Sequence, residues 1–264
     1  MNILIVGDVV ARPGRAVLEE QLARIQHEHD IDATIVNVEN SAAGFGVTKK
    51  LVDQFMNMNI DIMTSGNHIW DKREALDFIG DYPRLLRPHN YPSGTPGSGW
   101  GEFTTKSGIR VGVLNMMGQA FMHPPLDSPF ECADRVLSEK LDTIDVVVVD
   151  YHAETTSEKV GMGWYLDGKV SVVVGTHTHI PTADERLLHK GTAYVTDLGM
   201  TGCYDSVIGS DTGNVLKRMV SKLPVRLEPA TGKGTLCGVV VDVDEKTGCA
   251  RSIKRIKAEQ DPLG

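Results

Sequence analysis

The chain has 264 residues, of which 41% are hydrophobic, 23% are charged and 6% are aromatic. A chain of this length buries roughly 70% of its unfolded surface, so it needs no disulfide or structural metal to form a core. Its formal net charge of −8 argues against a stable nucleic-acid partner and against an anionic membrane surface. No stretch approaches the roughly 18 apolar residues that a membrane span requires.

The four cysteines, Cys132, Cys203, Cys237 and Cys249, form no C-x-x-C pair. This spacing argues against a zinc knuckle or a redox motif, and we expect all four to be reduced. The chain opens with a short apolar run that lacks the basic start and the cleavage site of a signal peptide. These features predict a cytoplasmic protein.

The first third of the chain alternates between runs rich in valine and isoleucine and amphipathic stretches, which is typical of an α/β protein. Strands are predicted over 3–6, 34–38 and 60–63. Apolar residues at helical spacing predict helices from Pro13 onward and over 50–58. The pattern therefore predicts three successive strand–helix units.

The middle of the chain contains a loop rich in glycine and proline over 91–99. Gly108 then indicates a hairpin, and we interpret the region as an insertion or a change of sheet rather than a linker. Four consecutive valines within the run 145–150 suit a strand that is buried on both faces. Further helices are predicted over 129–141 and 213–221, and further strands over 170–174, 192–196, 236–243 and 250–256. We expect the last two strands to form part of a second, more antiparallel sheet.

Polar side chains follow the predicted strands, at the point where each strand ends. They are Asp8, Glu39, Asn40, Asn67, His68, His152, His177 and His179. In an open α/β sheet, the carboxyl ends of the strands converge on one crevice, where ligands bind. We therefore expect separate segments of the chain to deliver these side chains to one place.

Two carboxylates, two carboxamides and at least three imidazoles form a mixed donor set that suits Mn, Fe, Co or Zn better than Mg or Ca. Seven donors exceed the needs of one ion, so two ions that share a carboxylate are the economical interpretation. After Asp8, Glu39 and a bridging hydroxide are counted, two divalent ions leave a net positive charge. That charge favours an anionic substrate such as a phosphate ester.

Each residue taken alone has a more ordinary interpretation. Asp8 suits a helix cap or a loop, Asn67 suits a turn, and His152 suits a hydrogen-bonded core position. His177 and His179 are a stronger signal, because residues two apart at a strand end can face one ion. The joint occurrence of all the residues in one order favours the metal site.

The chain resembles the calcineurin-like metallophosphoesterase superfamily in its motifs and their order, which are Gly7-Asp8, Glu39-Asn40, Gly66-Asn67-His68, His152 and Gly175-Thr176-His177-Thr178-His179. Two motifs depart from the common pattern. Asp8-Val9-Val10 stands in place of Asp-x-His, and Val38-Glu39-Asn40 replaces the usual Gly-Asp element. Both changes are similar to the YmdB-like branch, whose members are described as phosphodiesterases that act on cyclic nucleotides.

The resemblance implies a β-sandwich of two mixed sheets flanked by helices, in four α/β/β/α layers, as a single domain over 1–264. It also implies two divalent or mixed-valence metal ions per chain. Iron or manganese is the favoured metal, and zinc and cobalt are the alternatives. One ion would be held by Asp8, Glu39, Asn40 and His179, and the other by Asn67, His152 and His177, with Glu39 as the bridge.

The resemblance further implies that His68 is the general acid that protonates the leaving oxygen. From its spacing, Asp71 is a candidate to orient His68. The leading hypothesis is a dimetal phosphodiesterase whose substrate is a small phosphodiester, in particular a cyclic nucleotide, and we expect a homo-oligomer. A phosphomonoesterase with the same site and a non-catalytic metal-binding regulatory or scaffold protein remain as alternatives.

Other enzyme classes lack their motifs in this sequence. Gly7 is not followed by the glycines of a G-x-G-x-x-G dinucleotide fingerprint. The chain also contains no G-x-S-x-G nucleophile elbow and no P-loop. These absences argue against a dinucleotide-binding oxidoreductase, a serine hydrolase and a P-loop enzyme.

Overall fold

Two mixed β-sheets face each other in a computed structural model that describes residues 1–261. The first sheet begins with three parallel strands, β1 (Asn2–Val6), β2 (Ile31–Asn37) and β3 (Ile62–Thr64). Their connections contain the helices α1 (Ala11–Glu28) and α2 (Lys49–Met56). The predicted alternation of strands and helices is confirmed, although the ends of several elements differ by a few residues from the prediction.

The chain then changes sheet through a short helix, α3 (Ala75–Phe78), and a long loop. It enters the second sheet with a hairpin of β4 (Trp100–Thr104) and β5 (Arg110–Met117). Gly108 in the hairpin turn has a φ of 89°, a left-handed conformation that glycine adopts at no steric cost. The predicted hairpin is therefore confirmed, and of the two alternatives for this region the structure shows the change of sheet.

The second sheet grows from β5 by further strands and their connecting helices, which are α4 (Pro129–Lys140), β6 (Val146–His152), α5 (Thr156–Leu166), β7 (Val172–Thr176), β8 (Arg186–Leu187) and β9 (Ala193–Val195). Its strand order is β4-β5-β6-β7-β9-β8, and β5, β6, β7 and β9 are parallel. The carboxyl ends of these parallel strands therefore lie at the same edge of the sheet.

The remaining elements are α6 (Thr212–Ser221), β10 (Thr235–Val243) and β11 (Ala250–Glu259). The predicted antiparallel pair of β10 and β11 is confirmed, but its assignment to a second sheet is wrong. β10 pairs antiparallel with β1, and the first sheet has the order β11-β10-β1-β2-β3. In this position Val239 and Val241 join the apolar core between the sheets.

Three apolar layers separate the helices and sheets. Along β1, Ile3 and Ile5 face the second sheet, whereas Leu4 and Val6 pack with residues of α1 and α2. On the outer face of the second sheet, residues of α4 and α5 pack against β6. This alternation, with its period of two residues, builds the four-layer α/β/β/α arrangement that the family resemblance implies.

The helix α5 is absent from the sequence-based prediction. It contains Gly161 and Gly163, which weaken the helical signal. A Cβ atom at Gly163 would lie 2.5 Å from the ring of Tyr194, so the glycine permits the helix to approach the sheet closely. Tertiary packing therefore overrides the local propensity here.

All four cysteines are free, in agreement with the prediction. None of the helices within residues 1–261 combines the length and apolar character of a membrane-crossing segment.

Candidate active site

The predicted polar residues come together at the carboxyl ends of strands from both sheets. A cleft of about 290 Å³ opens there. The cleft lining includes residues that follow β2, β3, β6 and β7, which are Glu39, Asn40, His68, Glu154, His177 and His179. Asp8, Asn67 and His152 contact this set, as described below, so the structure assembles every predicted residue at one site.

The centre of the site is the Nε2 atom of His152, a side chain that is fully buried at the end of β6. It lies 3.0 Å from Glu39 Oε1, 3.0 Å from Asn67 Oδ1 and 3.1 Å from His177 Nδ1. A single proton on Nε2 can serve only one or two of these three neighbours well. The arrangement therefore calls for a positive charge that several donors share.

The charges of the site support this interpretation. Burial lowers the pKa of His152, but the charge and hydrogen bond of Glu39 outweigh it and raise this pKa to about 9. Burial would raise the pKa of Glu39, but the charge of His152 holds it down at about 2. Burial and the neighbouring His152 lower the pKa of His177 to about 3, which keeps its imidazole neutral. A neutral imidazole is the form that binds metals.

Asp8, Asn40 and His179 form the other side of the site. His179 Nε2 lies 3.3 Å from Asn40 Oδ1, and His179 Nδ1 lies 2.8 Å from the carbonyl oxygen of Ile208. Asp8 accepts a hydrogen bond of 3.2 Å from the backbone N–H of His177. Burial raises the pKa of Asp8 to about 6. Because the carbonyl oxygen of Ile208 accepts the proton on Nδ1 of His179, the other ring nitrogen, Nε2, faces the site.

Asp8 Oδ1, a buried carboxylate oxygen of the site, has no hydrogen-bond donor within the described residues. Glu39 Oε1, also buried, faces only the Nε2 atom of His152 that Asn67 and His177 share. Buried polar atoms rarely stay without a partner, because desolvation then costs roughly 1–3 kcal/mol per group. The donors of Glu39, His152 and His177 lie within 4.8 Å of one another, and their oxygen and nitrogen atoms are those that transition metals prefer. The residues present therefore fit divalent cations.

His152 is held by a buried relay that the sequence analysis did not identify. Its Nδ1 lies 2.9 Å from Thr176 Oγ1, and Thr176 Oγ1 donates a hydrogen bond of 2.7 Å to Asp150 Oδ1. Because the threonine proton goes to Asp150, Thr176 accepts the Nδ1 proton of His152. The relay engages Nδ1, so Nε2 is the ring nitrogen of His152 that faces the other donors of the site.

Replacing Thr176 by valine is expected to lower metal affinity by about 10- to 100-fold, the usual effect of removing a partner behind a metal ligand. The change removes the acceptor for His152 and one donor to Asp150, while it keeps the side-chain shape. Metal titration by calorimetry measures the effect. Thr176→Ser retains the hydroxyl and serves as the matched control, so equal losses in both variants would contradict the relay.

Gly66 in the turn after β3 explains one of the sequence motifs. A Cβ atom at this position would lie 2.1 Å from His152 Cδ2 and 2.2 Å from His152 Nε2. Contacts below 3.0 Å do not occur without a shift of the neighbour. The glycine is therefore required because the His152 ring lies against the turn that carries Asn67.

We expect Gly66→Ala to displace the His152 ring and to destabilise the fold by about 1–3 kcal/mol, as overpacking of a buried site usually does. Urea unfolding measures the stability, and metal content measures the displacement. Gly80→Ala is the matched control, because its Cβ would meet no atom within 4 Å. Unchanged stability and metal content in Gly66→Ala would show that the ring tolerates the methyl group.

The loop after β7 has a strained backbone at both of its histidines. His177 has a φ of 100° and His179 has a φ of 65°, and such residues cost about 1–3 kcal/mol each. A buried ion pair supports this loop: Lys159 Nζ contacts Asp197 Oδ2 and donates to the carbonyl oxygen of Thr176. Asp197 Oδ2 in turn accepts from the backbone N–H of Thr178 at 3.2 Å.

His68 lies at the rim of the cleft rather than among the buried donors, and its side chain is 27% exposed. Its Nδ1 lies 2.8 Å from Asp71 Oδ2, which agrees with the role that the spacing predicts for Asp71. The ring of Phe45 packs edge-on at a centroid distance of 4.9 Å. With Nδ1 committed to Asp71, Nε2 of His68 is the ring atom left to interact with a substrate.

The sequence analysis missed several residues that shape the site. Glu154 lines the cleft, and its Oε2 lies 3.1 Å from His177 Nε2. Its position two residues after His152, in the loop that follows β6, was an available signal. Thr176 lies inside a predicted motif, but nothing in the sequence indicates that its hydroxyl connects His152 to Asp150. These contacts depend on pairing between β6 and β7.

Comparisons with known proteins agree with this geometry. A family model described as "YmdB-like protein" matches residues 4–256. A Bacillus subtilis protein named "2',3'-cyclic-nucleotide 2'-phosphodiesterase" is 47% identical over 263 residues, which cover 100% of this chain and 99% of the relative.

Two solved structures are similar over nearly their whole length. One is described as a hypothetical protein from Thermus thermophilus, with 37% identity and a TM-score of 0.92 over 99% of this chain and 100% of that chain. The other, from Mycoplasma pneumoniae, is described as a novel phosphatase. It has 30% identity and a TM-score of 0.93 over 99% of this chain and 95% of that chain.

Proposed function

This chain belongs to the YmdB-like family, and on that premise we propose that it is a metal-dependent phosphoric diester hydrolase. The observation that carries the proposal is the convergence of Glu39, Asn67 and His177 on one nitrogen of His152. These atoms form a compact donor set beside a cleft that is open to a small substrate.

We assign seven side chains as ligands of two cations. Asp8, Asn40 and His179 would hold one cation, Asn67, His152 and His177 would hold the other, and Glu39 would contribute to both. Two cations bound there would supply Lewis acidity toward a phosphoryl group and a nucleophile at neutral pH. Iron or manganese suits the mixed donor set best, with zinc and cobalt as alternatives.

The protein's own contribution to bond cleavage is assigned to His68. An alkoxide is a poor leaving group, so a proton delivered to the leaving oxygen raises the rate, typically by about 10²–10⁴. Asp71 binds Nδ1 of His68 and orients the ring, while Nε2 delivers the proton. The pairing of His68 with Asp71 favours catalysis over pure binding, because a scaffold protein needs no proton donor.

The proposed substrate is a nucleoside 2′,3′-cyclic phosphate, opened at the 2′ oxygen. This choice rests on the name of the Bacillus subtilis relative, and two features of the site agree with it. The cleft of about 290 Å³ is small, and a ribose oxygen is the kind of leaving group for which His68 is required.

A comparison of four substrates tests this proposal. They are adenosine 2′,3′-cyclic phosphate, adenosine 3′,5′-cyclic phosphate, bis(p-nitrophenyl) phosphate and p-nitrophenyl phosphate. We expect the highest kcat/KM on the 2′,3′-cyclic nucleotide, with the 3′-phosphate as product. Faster hydrolysis of the monoester than of both cyclic nucleotides would favour a phosphomonoesterase. We include the monoester because the similar Mycoplasma pneumoniae structure is described as a phosphatase.

A further inference from the structure

A second cavity, with a volume of about 630 Å³, lies beside the cleft. Its lining includes the start of α1 with Arg12 and Arg15, and the segment 229–233 with Lys233. We call it the basic cavity after these three cations. Its volume lies within the roughly 300–1,000 Å³ of ordinary small-molecule sites, so it has room for a ligand of nucleotide size.

The basic cavity and the active-site cleft are adjacent. Pro229 lines both of them. Val10 and Gly44 line the cleft, and their chain neighbours Ala11 and Ala43 line the basic cavity. A substrate group on the side of the cleft lined by Val10, Gly44 and Pro229 therefore lies next to the basic cavity.

The three cations of the basic cavity have no carboxylate partner among residues 1–261. Within residues 1–261, no carboxylate lines the cavity. None of Arg12, Arg15 and Lys233 forms a salt bridge with another described residue. Arg15 donates to the backbone carbonyl of Ser41, which fixes its guanidinium group without cancelling the charge.

The three cations are a local exception in an acidic protein with a net charge of −8. Burial and the charge of Arg12 both lower the pKa of Arg15, so the two guanidinium groups repel each other. An anion between them would relieve this repulsion. Guanidinium groups bind phosphate with paired hydrogen bonds, which makes phosphate the anion that fits arginine best.

We propose that the basic cavity binds a second phosphate of the substrate, attached to the 5′ oxygen of the nucleoside whose cyclic phosphate lies in the cleft. This inference rests on the proposed function. In a nucleoside 2′,3′-cyclic phosphate, the 5′ oxygen is the remaining ribose position that carries a phosphate. The same chemistry exists in a free nucleotide with a 5′-phosphate and at the 3′ end of a short RNA.

Kinetics on three substrates test the subsite. They are adenosine 2′,3′-cyclic phosphate, the same nucleotide with a 5′-phosphate, and the dinucleotide ApA that ends in a 2′,3′-cyclic phosphate. We expect the added phosphate to raise kcat/KM by about tenfold, equivalent to about 1.4 kcal/mol. A gain on the 5′-phosphorylated mononucleotide alone identifies a free nucleotide, and a larger gain on the dinucleotide identifies an RNA end.

We define the phosphate ratio as kcat/KM with the 5′-phosphate divided by kcat/KM without it. The double variant Arg12→Ala/Lys233→Ala is expected to reduce this ratio to about one. Both residues are exposed, so their truncation leaves the core intact. Lys50→Ala/Arg73→Ala removes the same two kinds of charge at exposed positions that do not line the cavity. This control is expected to keep the ratio of the unmodified protein.

Calorimetric titration with adenosine 5′-monophosphate separates failure of the subsite from failure of the proposed function. If the unmodified protein binds the nucleotide and Arg12→Ala/Lys233→Ala does not, the subsite is supported. If the unmodified protein then hydrolyses no cyclic phosphate, only the proposed function is overturned. Suppose instead that the unmodified protein hydrolyses the substrates with and without the 5′-phosphate with equal kcat/KM, and that it binds adenosine 5′-monophosphate no better than the double variant does. That result overturns the subsite and leaves the hydrolase proposal standing.

Discussion

Glu39→Gln is expected to lower kcat/KM on a phosphodiester by about 10³-fold or more, because a bound metal supplies several kcal/mol of transition-state stabilisation. Glu39 is the residue that we assign to both cations, and glutamine keeps its size while removing its charge. Glu39 Oε1 also lies 3.0 Å from His152 Nε2, so the substitution removes the negative charge that faces this second assigned ligand. Metal content and turnover, measured on the same sample, check this result.

Glu74→Gln is a suitable control for Glu39→Gln, since it makes the same chemical change at an exposed position outside the cleft. Thermal unfolding of both variants shows whether the fold is retained. If Glu39→Gln kept both its metal content and its turnover, Glu39 would not be a bridging ligand and the proposed division of ligands would be wrong.

His68→Gln is expected to retain the metals and to lose about 10²–10⁴ in kcat on a cyclic nucleotide, the usual contribution of a general acid. Glutamine cannot deliver the proton that a ribose alkoxide needs to leave. On bis(p-nitrophenyl) phosphate we expect a much smaller loss, because p-nitrophenolate leaves without protonation. Parallel kcat measurements on the two substrates therefore isolate the proton-transfer role.

His27→Gln, at an exposed position on α1, controls for the general effect of replacing a histidine. Equal losses on both substrates would mean that His68 binds or positions the phosphate instead of protonating the leaving group. An unchanged rate on the cyclic nucleotide would remove His68 from the mechanism altogether.

The strand-end positions of the site were predictable from the sequence because β1, β2, β3, β6 and β7 are strongly apolar and short. Once these strands are recognised, their parallel order places the following polar residues at one edge. Asp8, Glu39 and His177 were found in this way. The contact between His68 and Asp71 was also within reach, since the two residues are three apart.

Other features depend on contacts between distant segments and leave no local signal. The relay from Asp150 through Thr176 to His152 joins β6 and β7. The Lys159–Asp197 pair joins α5 to a loop after β9, and α5 itself is hidden by its glycines. The placement of β10 beside β1 is similarly non-local, because strand propensity does not identify the partner of a strand.

Elemental analysis of the purified protein, combined with a diesterase assay before and after chelation, tests the central claim most directly. The account predicts two transition-metal ions per chain, loss of turnover when they are removed, and recovery when iron or manganese is returned. Full hydrolysis of the 2′,3′-cyclic nucleotide by protein that contains no metal would contradict it.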